Sequence, residues 1–254
     1  MWSTTLLRRL SAVLAAAVLA GCATAPSKNS KMGDPIYLYK MGISQFSQGH
    51  FLEAEQYFRD ALKIDPKMIM TWNMLGKTYL FSGRLEEAQA ALEKAIQIQP
   101  SFAEAHNNMG TVFLQKGDLV KAEAEFNLAL RDTTYSQSPQ VWFNLGMVAY
   151  QKGNYSEAIT QFGRALSLNK EYAVAMLGRA RAYEKMRQTD QAKADLRRYL
   201  ELRPEDPEGL FTLGRTLVNE KSFVEARPLL ERVWLLAPSS TWGQEAKKLL
   251  DLIQ

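Results

Sequence analysis

Cysteine and histidine are almost absent from this sequence: of its 254 residues, one is cysteine and two are histidine. Cys22 therefore has no second cysteine in the chain with which to form a disulfide. His50 and His106 lack cysteine neighbours at the spacing of a zinc site, and His106 falls where a packing residue is expected. We accordingly expect no metal centre and no cofactor.

The sequence also lacks the patterns of a phosphate site, a catalytic acid–base pair and a nucleic-acid-binding face. No glycine-rich loop follows a strand, because no segment has convincing strand periodicity. The carboxylate pairs Glu86–Glu87 and Glu123/Glu125 fall on helix faces expected to meet solvent. The formal net charge is only +4, with 31 basic and 27 acidic residues, which is too small for a nucleic-acid partner. We expect a protein that is not an enzyme and has no small-molecule substrate.

The N-terminus has the layout of an export signal. Arg8 and Arg9 precede an apolar run over residues 10–20, which is short for a membrane-spanning helix. The run ends in Leu-Ala-Gly-Cys at residues 19–22, a sequence that resembles the bacterial lipoprotein box. An ordinary signal with an incidental cysteine is the alternative, although lipidation would explain why the chain keeps one thiol.

The resemblance to the lipoprotein box implies a division of the N-terminal region. Residues 1–21 would be removed as a lipoprotein signal peptide, and Cys22 would carry acyl chains such as palmitate. Residues 22–34 would then form the lipidated cysteine and a flexible polar tether, and more than one acyl chain gives a stable anchor. Because Ala23 follows the cysteine, we expect a lipid anchor in the outer membrane, facing the periplasm.

The rest of the chain repeats one pattern. Gly42, Gly76 and Gly110 are 34 residues apart, and other small and apolar residues recur in step with them. This spacing is that of the tetratricopeptide repeat, which is a pair of antiparallel helices. We predict an all-α tetratricopeptide-repeat solenoid over residues 35–254, with six helix–turn–helix repeats and a C-terminal capping helix. The predicted repeats are 35–68, 69–102, 103–136, 139–172, 173–206 and 207–240, and the cap is 241–254.

The register breaks once, because Gly110 and Gly146 are 36 residues apart. The second helix of the third repeat is expected to end near Asp132, and a tolerated surface loop is one explanation for the two extra residues. The break and the helix start after it have a distinctive order of residues. These are Asp132, Thr133, Tyr135, Val141, Asn144, Leu145 and Gly146.

This order resembles the pilotins of type IV pilus secretins, tetratricopeptide lipoproteins of the PilF, PilW and Tgl type. The resemblance extends over the lipidated cysteine, the tether and the repeats. It implies an adaptor that binds the type IV pilus secretin and promotes its outer-membrane localisation and multimer assembly, in support of pilus biogenesis and motility. Two alternatives stay open: a lipoprotein scaffold for peptidoglycan enzymes or outer-membrane barrel assembly, and a regulatory subunit of an envelope protease or synthase.

In this fold the first helix of each repeat lines the concave surface through its second, fifth, ninth, twelfth and thirteenth residues. The apolar character of many of these positions suits a secretin helix or extended segment laid in a groove. The candidate partner-binding residues are Ile36, Tyr39, Ile43, Phe46, Met70, Asn73, Lys77, Leu80, Phe81, Phe143, Met147 and Tyr150. The same positions include Asn107, Thr111 and Leu114. Alternatively, neighbouring helices or the tether cover these side chains.

The concave positions of the last two repeats are weakly basic. Arg181, Lys185 and Arg215 occupy them, and we read this surface as a solvated face and not as a phosphate site. The chain is expected to be a monomer that contacts the membrane only through the acyl chains on Cys22.

Overall fold

The computed structural model describes residues 33–133, 135 and 138–253. This part of the chain contains thirteen α-helices and no strand, which confirms the predicted all-α repeat fold. In chain order the helices are α1 Pro35–Ser47, α2 Phe51–Ile64, α3 Ile69–Phe81, α4 Leu85–Ile98, α5 Ala103–Lys116, α6 Leu119–Ala129, α7 Pro139–Gln151, α8 Tyr155–Leu168, α9 Ala173–Lys185, α10 Thr189–Leu202, α11 Pro207–Asn219, α12 Phe223–Leu236 and α13 Thr241–Leu252. The predicted export signal, Cys22 and most of the tether lie outside the described residues.

Local sequence explains where the helices begin. Proline occupies the first turn of α1, α7 and α11, a position whose N–H needs no partner within the helix. Asp34 and Asp206 precede two of these prolines, and each side chain accepts a hydrogen bond from a backbone N–H of the first turn. These caps satisfy donors that the helix itself leaves unpaired.

The turns inside the first four helix pairs contain glycine in the left-handed region. The φ angles of Gly49, Gly83, Gly117 and Gly153 lie between 71° and 81°. In the last two pairs Arg187 and Lys221 adopt the same conformation, with φ of 58° and 62°. Because a side chain is strained there, the turn geometry is imposed by the packed helices as well as by the local sequence.

Glycines within the first helices allow the two helices of a pair to approach closely. A Cβ atom at Gly110 would lie 2.6 Å from a ring carbon of Phe126, and one at Gly146 would lie 2.6 Å from a ring carbon of Phe162. Both phenylalanine side chains are fully buried. Gly110 and Gly146 therefore lie where an aromatic side chain from the second helix of the pair fills the interior.

The part of the chain that the structure describes divides into two compact units, the first ending at Thr71 and the second beginning at Trp72. In the described part of the first unit, α1 packs against α2. Its interior contains the buried side chains of Leu38, Ala54, Phe58, Ala61 and Leu62. The first residues of α3 also belong to this unit.

The second unit contains the remainder of α3 and the helices from α4 to α13. Helices that follow one another from α5 onward pack in sequence, and the second helix of each pair supplies a fully buried large side chain at the equivalent position. These side chains are Leu92, Phe126, Phe162, Leu196 and Leu230. Helix α13 closes the stack against α11 and α12 through Ala246, Leu250 and Ile253, which confirms the predicted capping helix.

The described residues of the break in register make hydrogen bonds and apolar contacts. Helix α6 ends at Ala129, before the predicted end near Asp132, and α7 begins at Pro139. The Asp132 side chain accepts a 3.1 Å hydrogen bond from the Tyr135 N–H, and the Ser138 N–H donates to the Tyr135 carbonyl at 2.9 Å. Tyr135 packs against the apolar cluster between α6 and α7, so this residue of the break is anchored in the second unit.

None of the helices in the described ranges is both long enough and apolar enough to cross a membrane.

Candidate functional site

A cleft of about 650 Å³ opens in the second unit. Helices α3, α5 and α7 form its walls, and the break between α6 and α7 contributes one edge. The lining residues are Lys77, Leu80, Phe81, Glu104, Asn107, Asn108, Thr111, Gln115, Tyr135, Ser138, Gln140, Phe143, Asn144 and Tyr172. Because amides, hydroxyls and aromatic rings dominate this set, the cleft combines polar groups with a larger apolar lining and carries little charge.

Two pairs of asparagines connect the helices that form the cleft. The Asn108 amide donates to Asn73 Oδ1 at 2.8 Å, joining α5 to α3. The Asn144 amide donates to Asn107 Oδ1 at 3.0 Å, joining α7 to α5. Asn107 and Asn108 are each 8% exposed and Asn73 is 0% exposed. These hydrogen bonds hold the carboxamides in defined orientations. Each carboxamide can still donate or accept further hydrogen bonds.

The aromatic residues of the cleft differ in how firmly they are held. The Phe143 ring lies 5.7 Å from the centroids of both Phe162 and Tyr172, whereas Phe81 is 62% exposed. Burial raises the pKa of the Tyr172 phenol. Burial, followed by the negative charge of Glu104, raises the pKa of Tyr135. Both phenols therefore stay neutral and can donate hydrogen bonds at physiological pH.

The cleft contains few charged side chains. Among its described lining residues the charged side chains are Lys77 and Glu104. Over the described ranges, no cluster of three or more His, Cys, Asp or Glu side chains is placed to hold a metal ion. Amide, hydroxyl and aromatic groups of this kind recognise peptide groups and apolar side chains.

The predicted partner-binding residues of the first unit have mixed environments. Ile36 and Met70 are exposed by 56% and 46%, while Ile43 is half-buried. Tyr39 and Phe46 are also half-buried, with ring centroids 6.0 Å from Phe58 and 5.5 Å from Phe51. These two rings thus contribute to packing between α1 and α2.

In the second unit the cleft brings together Lys77, Leu80, Phe81 and Phe143 from the predicted set. Met147 and Tyr150 lie further along α7 and pack against the adjacent apolar core; Tyr150 also lies 5.3 Å from the Tyr155 ring.

Asn73 corrects a prediction, because its complete burial prevents direct contact with a partner. Its carboxamide instead orients Asn108 from beneath the cleft surface.

The sequence interpretation missed the contribution of several polar residues to the cleft. Asn108 and Asn144 occupy the sixth position of α5 and α7, one residue beyond the position that was expected to face inward. Their 36-residue separation matches the local repeat spacing, and that recurrence of asparagine was an available signal. Glu104, Gln115 and Gln140 occupy the expected second or thirteenth positions but were not named as candidates, and three further lining residues lie outside the first helices: Tyr135, Ser138 and Tyr172.

His106 is more than the packing residue expected from sequence. Its Nδ1 atom lies 2.7 Å from Glu125 Oε2, and its Nε2 atom lies 2.8 Å from the Pro100 carbonyl oxygen. Both ring nitrogens face acceptors, so the protonated ring satisfies both contacts. The hydrogen bond to Glu125, chiefly, raises the pKa of His106, against the opposing effects of burial and Arg131.

The basic surface predicted in the last two repeats is largely neutralised by ion pairs. Arg215 donates to Glu184 at 3.2 Å, and Arg181 contacts Glu208. Lys185 is exposed. The arginines on this surface therefore hold adjacent helices together.

Comparison with known families identifies the repeats. Residues 57–168 match the model of the cytochrome c-type biogenesis protein H TPR domain. Residues 35–68 and 149–208 match two tetratricopeptide-repeat models.

Solved structures share the architecture at low sequence identity. PilF of Pseudomonas aeruginosa is 21% identical with a TM-score of 0.75, over 84% of this chain and 96% of PilF. PilW, described as a widely conserved type IV pilus biogenesis factor, is 20% identical with a TM-score of 0.78, over 84% of this chain and 98% of PilW. The APC/C hetero-tetramer Cut9-Hcn1 contains a chain that is 21% identical with a TM-score of 0.77; 87% of this chain matches 43% of it.

The helix arrangement and the repeat matches show that this chain has the tetratricopeptide-repeat fold. Proteins with this fold typically serve as scaffolds for other proteins. The chain shares its architecture with PilF and PilW over nearly their whole length, whereas it spans less than half of the matching chain in Cut9-Hcn1.

Proposed function

We propose that this chain is a lipid-anchored adaptor of the type IV pilus system. It binds the pilus secretin and promotes the localisation of the secretin to the outer membrane and its assembly into a multimer. Acyl chains on Cys22 hold the adaptor to the membrane, and the second unit engages the secretin through the cleft between α3, α5 and α7.

The position of the register break is the observation that carries this proposal. Tyr135 and Ser138 of the break, together with Asn144 of the following helix, line the cleft. The segment through which the sequence resembles pilotins is therefore part of the surface best suited to a partner. The shared architecture with PilF and PilW is compatible with this function, and the box at residues 19–22 supports the anchor.

Recovery of the secretin with the full lipidated chain tests the proposal. The protein is extracted from its own cells in detergent and captured, and the secretin in the eluate is measured by immunoblotting. Phe81→Asp is the informative variant, because Phe81 lies in the cleft and is 62% exposed. Val120→Asp is the matched control, since Val120 is 74% exposed on α6 and is not among the cleft residues.

We expect the wild type and Val120→Asp to recover the secretin and Phe81→Asp to lose most of it. Equal recovery of the secretin with all three proteins would show that the secretin contacts another surface of the chain. Absence of the secretin from every eluate would overturn the proposed function, and recovery of a cell-wall enzyme or a barrel-assembly component in its place would favour the alternative scaffold.

The lipid anchor needs a separate measurement. Mass spectrometry of the mature N-terminal peptide should find acyl chains on Cys22, and Cys22→Ser should move the protein from the outer-membrane fraction to the soluble or uncleaved fraction. A mature N-terminus that begins elsewhere and carries no lipid would refute the anchor. It would not bear on the proposed role of the cleft.

A further inference from the structure

Two of the connections that follow a helix pair are held by a side chain that does not titrate. Between α8 and α9, the Arg198 guanidinium donates to the Lys170 carbonyl at 2.9 Å. After α12, the Gln244 amide donates to the Pro238 carbonyl at 2.6 Å. Lys170 and Pro238 are each the thirty-second residue of their repeat, so the same backbone carbonyl is bonded in both. Because arginine stays charged and glutamine stays neutral, these two hydrogen bonds do not depend on pH.

The connection between α4 and α5 uses a histidine at the equivalent carbonyl. Pro100 is the thirty-second residue of the second repeat, and its carbonyl oxygen lies 2.8 Å from His106 Nε2. On the other side of the ring, Nδ1 lies 2.7 Å from Glu125 Oε2. A neutral imidazole carries one N–H, so only the protonated ring donates to both acceptors. This connection therefore depends on a bound proton, unlike the other two.

His106 occupies a place that two other repeats fill with tryptophan. It is the fourth residue of α5, as Trp72 is of α3 and Trp142 is of α7. A tryptophan packs in this place without a titratable group, whereas His106 is only 6% exposed and can gain or lose a proton. The third repeat thus has a proton-binding residue at a position where packing alone does not require one.

A cavity of about 260 Å³ lies beside the His106 ring. The α4–α5 connection lines one side of it, and Arg131 and Asp132 line the other. The positive charge of Arg131 opposes protonation of the ring, but the hydrogen bond to Glu125 has the larger effect and raises the pKa of His106. Asp132 accepts a hydrogen bond from the Tyr135 N–H, which ties its carboxylate to the break. The cavity leaves the connection room to move and gives water a path to its carbonyl groups.

Loss of the proton affects the two contacts of the ring differently. The remaining N–H goes to Glu125, because a hydrogen bond to an ionised acceptor is roughly twice as strong as one to a neutral acceptor. Nε2 then presents a lone pair to the Pro100 carbonyl oxygen at 2.8 Å, and two acceptors at this distance repel each other. The connection relieves the repulsion by moving toward the cavity or by admitting a water molecule.

We propose that His106 is a proton-operated latch between the second and third repeats. The protonated ring holds the α4–α5 connection through the Pro100 carbonyl, and its deprotonation releases the connection while the bond to Glu125 remains. Asn107 and Asn108 follow the latch directly in α5 and line the cleft, so its release alters one wall of the cleft as pH rises. The latch goes beyond the proposed function and does not depend on what the cleft binds.

Hydrogen–deuterium exchange of the full chain in detergent, from about pH 6 to about pH 9, tests the release of the connection. The Phe102 N–H donates to the Gln99 carbonyl and the Ala105 N–H to the Phe102 carbonyl. After α8, the amides of Tyr172 and Ala175 make the equivalent bonds and serve as an internal reference. We expect the protection of the α4–α5 amides relative to the reference to fall about fivefold as pH rises, since one hydrogen bond of ordinary strength is lost.

The protonation of the ring is measured in the same protein by NMR with ¹⁵N-labelled histidine. The chain has two histidines, and His50→Gln assigns their signals. We expect His106 to have both ring nitrogens protonated at low pH and only Nδ1 protonated at high pH. The loss of protection should have the same midpoint as this titration. Both measurements use the wild type, so they remain decisive if a variant at His106 folds poorly.

Three variants separate the latch from a merely structural role. Glu125→Gln removes the charge that favours the proton, so the midpoint should move to lower pH. Glu123→Gln is the matched control, because Glu123 lies on the same helix and pairs with Lys152 instead; its midpoint should equal that of the wild type. His106→Gln supplies a neutral amide, as Gln244 does at the cap, and should make the relative protection independent of pH.

A common midpoint for exchange and titration that moves in Glu125→Gln and stays in Glu123→Gln supports the latch. Relative protection that stays constant while His106 titrates overturns it. So does a neutral ring that keeps its proton on Nε2, or a ring that does not titrate over this pH range. None of these measurements involves the secretin, so failure of the proposed function leaves each outcome unchanged.

Discussion

The repeats that form the cleft and the last two repeats use the same backbone frame for different purposes. In α5 and α7 the fifth and sixth positions include Asn107, Asn108 and Asn144, which pair with asparagines of neighbouring helices and keep further donors or acceptors that no other described residue occupies. In α9 and α11 the fifth positions are Leu177 and Phe211, which are buried. Polar groups of α9 and α11 bond instead to one another across the helices.

The charged groups of the C-terminal repeats are mutually satisfied. Glu184 of α9 accepts hydrogen bonds from Arg215 and from the Thr216 hydroxyl of α11, the latter at 2.8 Å. Arg179 donates two hydrogen bonds of 2.7 Å to Asp195. Polar residues of the C-terminal repeats therefore stabilise the structure. Those of the cleft keep hydrogen-bonding groups that a ligand can contact. Substitutions in the two regions should accordingly change different measured quantities.

The largest effect is expected at Asp195, whose side chain is 9% exposed beside Arg179. Asp195→Ala leaves the guanidinium partly buried without its partner and should lower the free energy of unfolding by about 3 kcal/mol. Urea denaturation followed by circular dichroism measures the change. Asp251→Ala is the control, because its ion pair with Lys247 is about half exposed and should contribute at most about 0.5 kcal/mol. Equal effects would show that the C-terminal ion pairs are not structural.

Glu184→Gln should separate stability from binding. The variant keeps the shape of the side chain but weakens the contacts with Arg215 and Thr216, so we expect a loss of about 1–2 kcal/mol in the free energy of unfolding. The affinity for a peptide bound in the cleft should not change. Asn144→Ala should give the opposite result, with a stability change below about 1 kcal/mol and weaker binding. If both variants altered both quantities equally, the proposed division between the regions would fail.

The stability of the cleft repeats should depend on pH through His106. The folded-state pKa is raised, so the stabilising contribution is complete below the unfolded pKa of about 6.5 and is lost as pH rises through the folded value. The loss should be on the order of 1 kcal/mol, because the hydrogen-bonded Glu125 is partly solvated and solvent weakens the interaction. Urea titrations at pH values on both sides of this range measure it, and Glu125→Gln should reduce the dependence. A stability that increases with pH in the wild type relative to Glu125→Gln would contradict this assignment.

The smallest expected effect concerns the turns of the two regions. Arg187 has a φ of 58°, where the equivalent Gly153 has a φ of 81°. Arg187→Gly should relieve backbone strain and raise the free energy of unfolding by about 0.5 kcal/mol, a gain limited by the extra freedom of glycine in the unfolded chain. Gly153→Ala should lower it by about 1 kcal/mol. Thermal unfolding of both variants tests the pair, and destabilisation by Arg187→Gly would show that the arginine side chain has a favourable role.

Much of the fold could be predicted because its determinants are local and repeated. A separation of 16 residues places Gly110 against Phe126 and Gly146 against Phe162, so the relation within a pair is the same on both sides of the two-residue insertion. The observed helix pairs begin at the predicted residues Pro35, Ile69, Ala103, Pro139, Ala173 and Pro207. The break itself was located, but its role at the edge of the cleft was not, since a count of inserted residues does not show where Tyr135 packs.

The sequence by itself determined the helix pairs, their register, the four glycine turns and the capping helix, because each depends on residue periodicity and on backbone preferences over a few positions. Only the tertiary structure decided which polar side chains share the cleft. Asn73 and Asn108 are 35 residues apart and Asn107 and Asn144 are 37 apart, so each pair joins the fifth position of one helix to the sixth position of another. The relative rotation and spacing of packed helices bring such positions within hydrogen-bonding distance, and these depend on the whole interior between them.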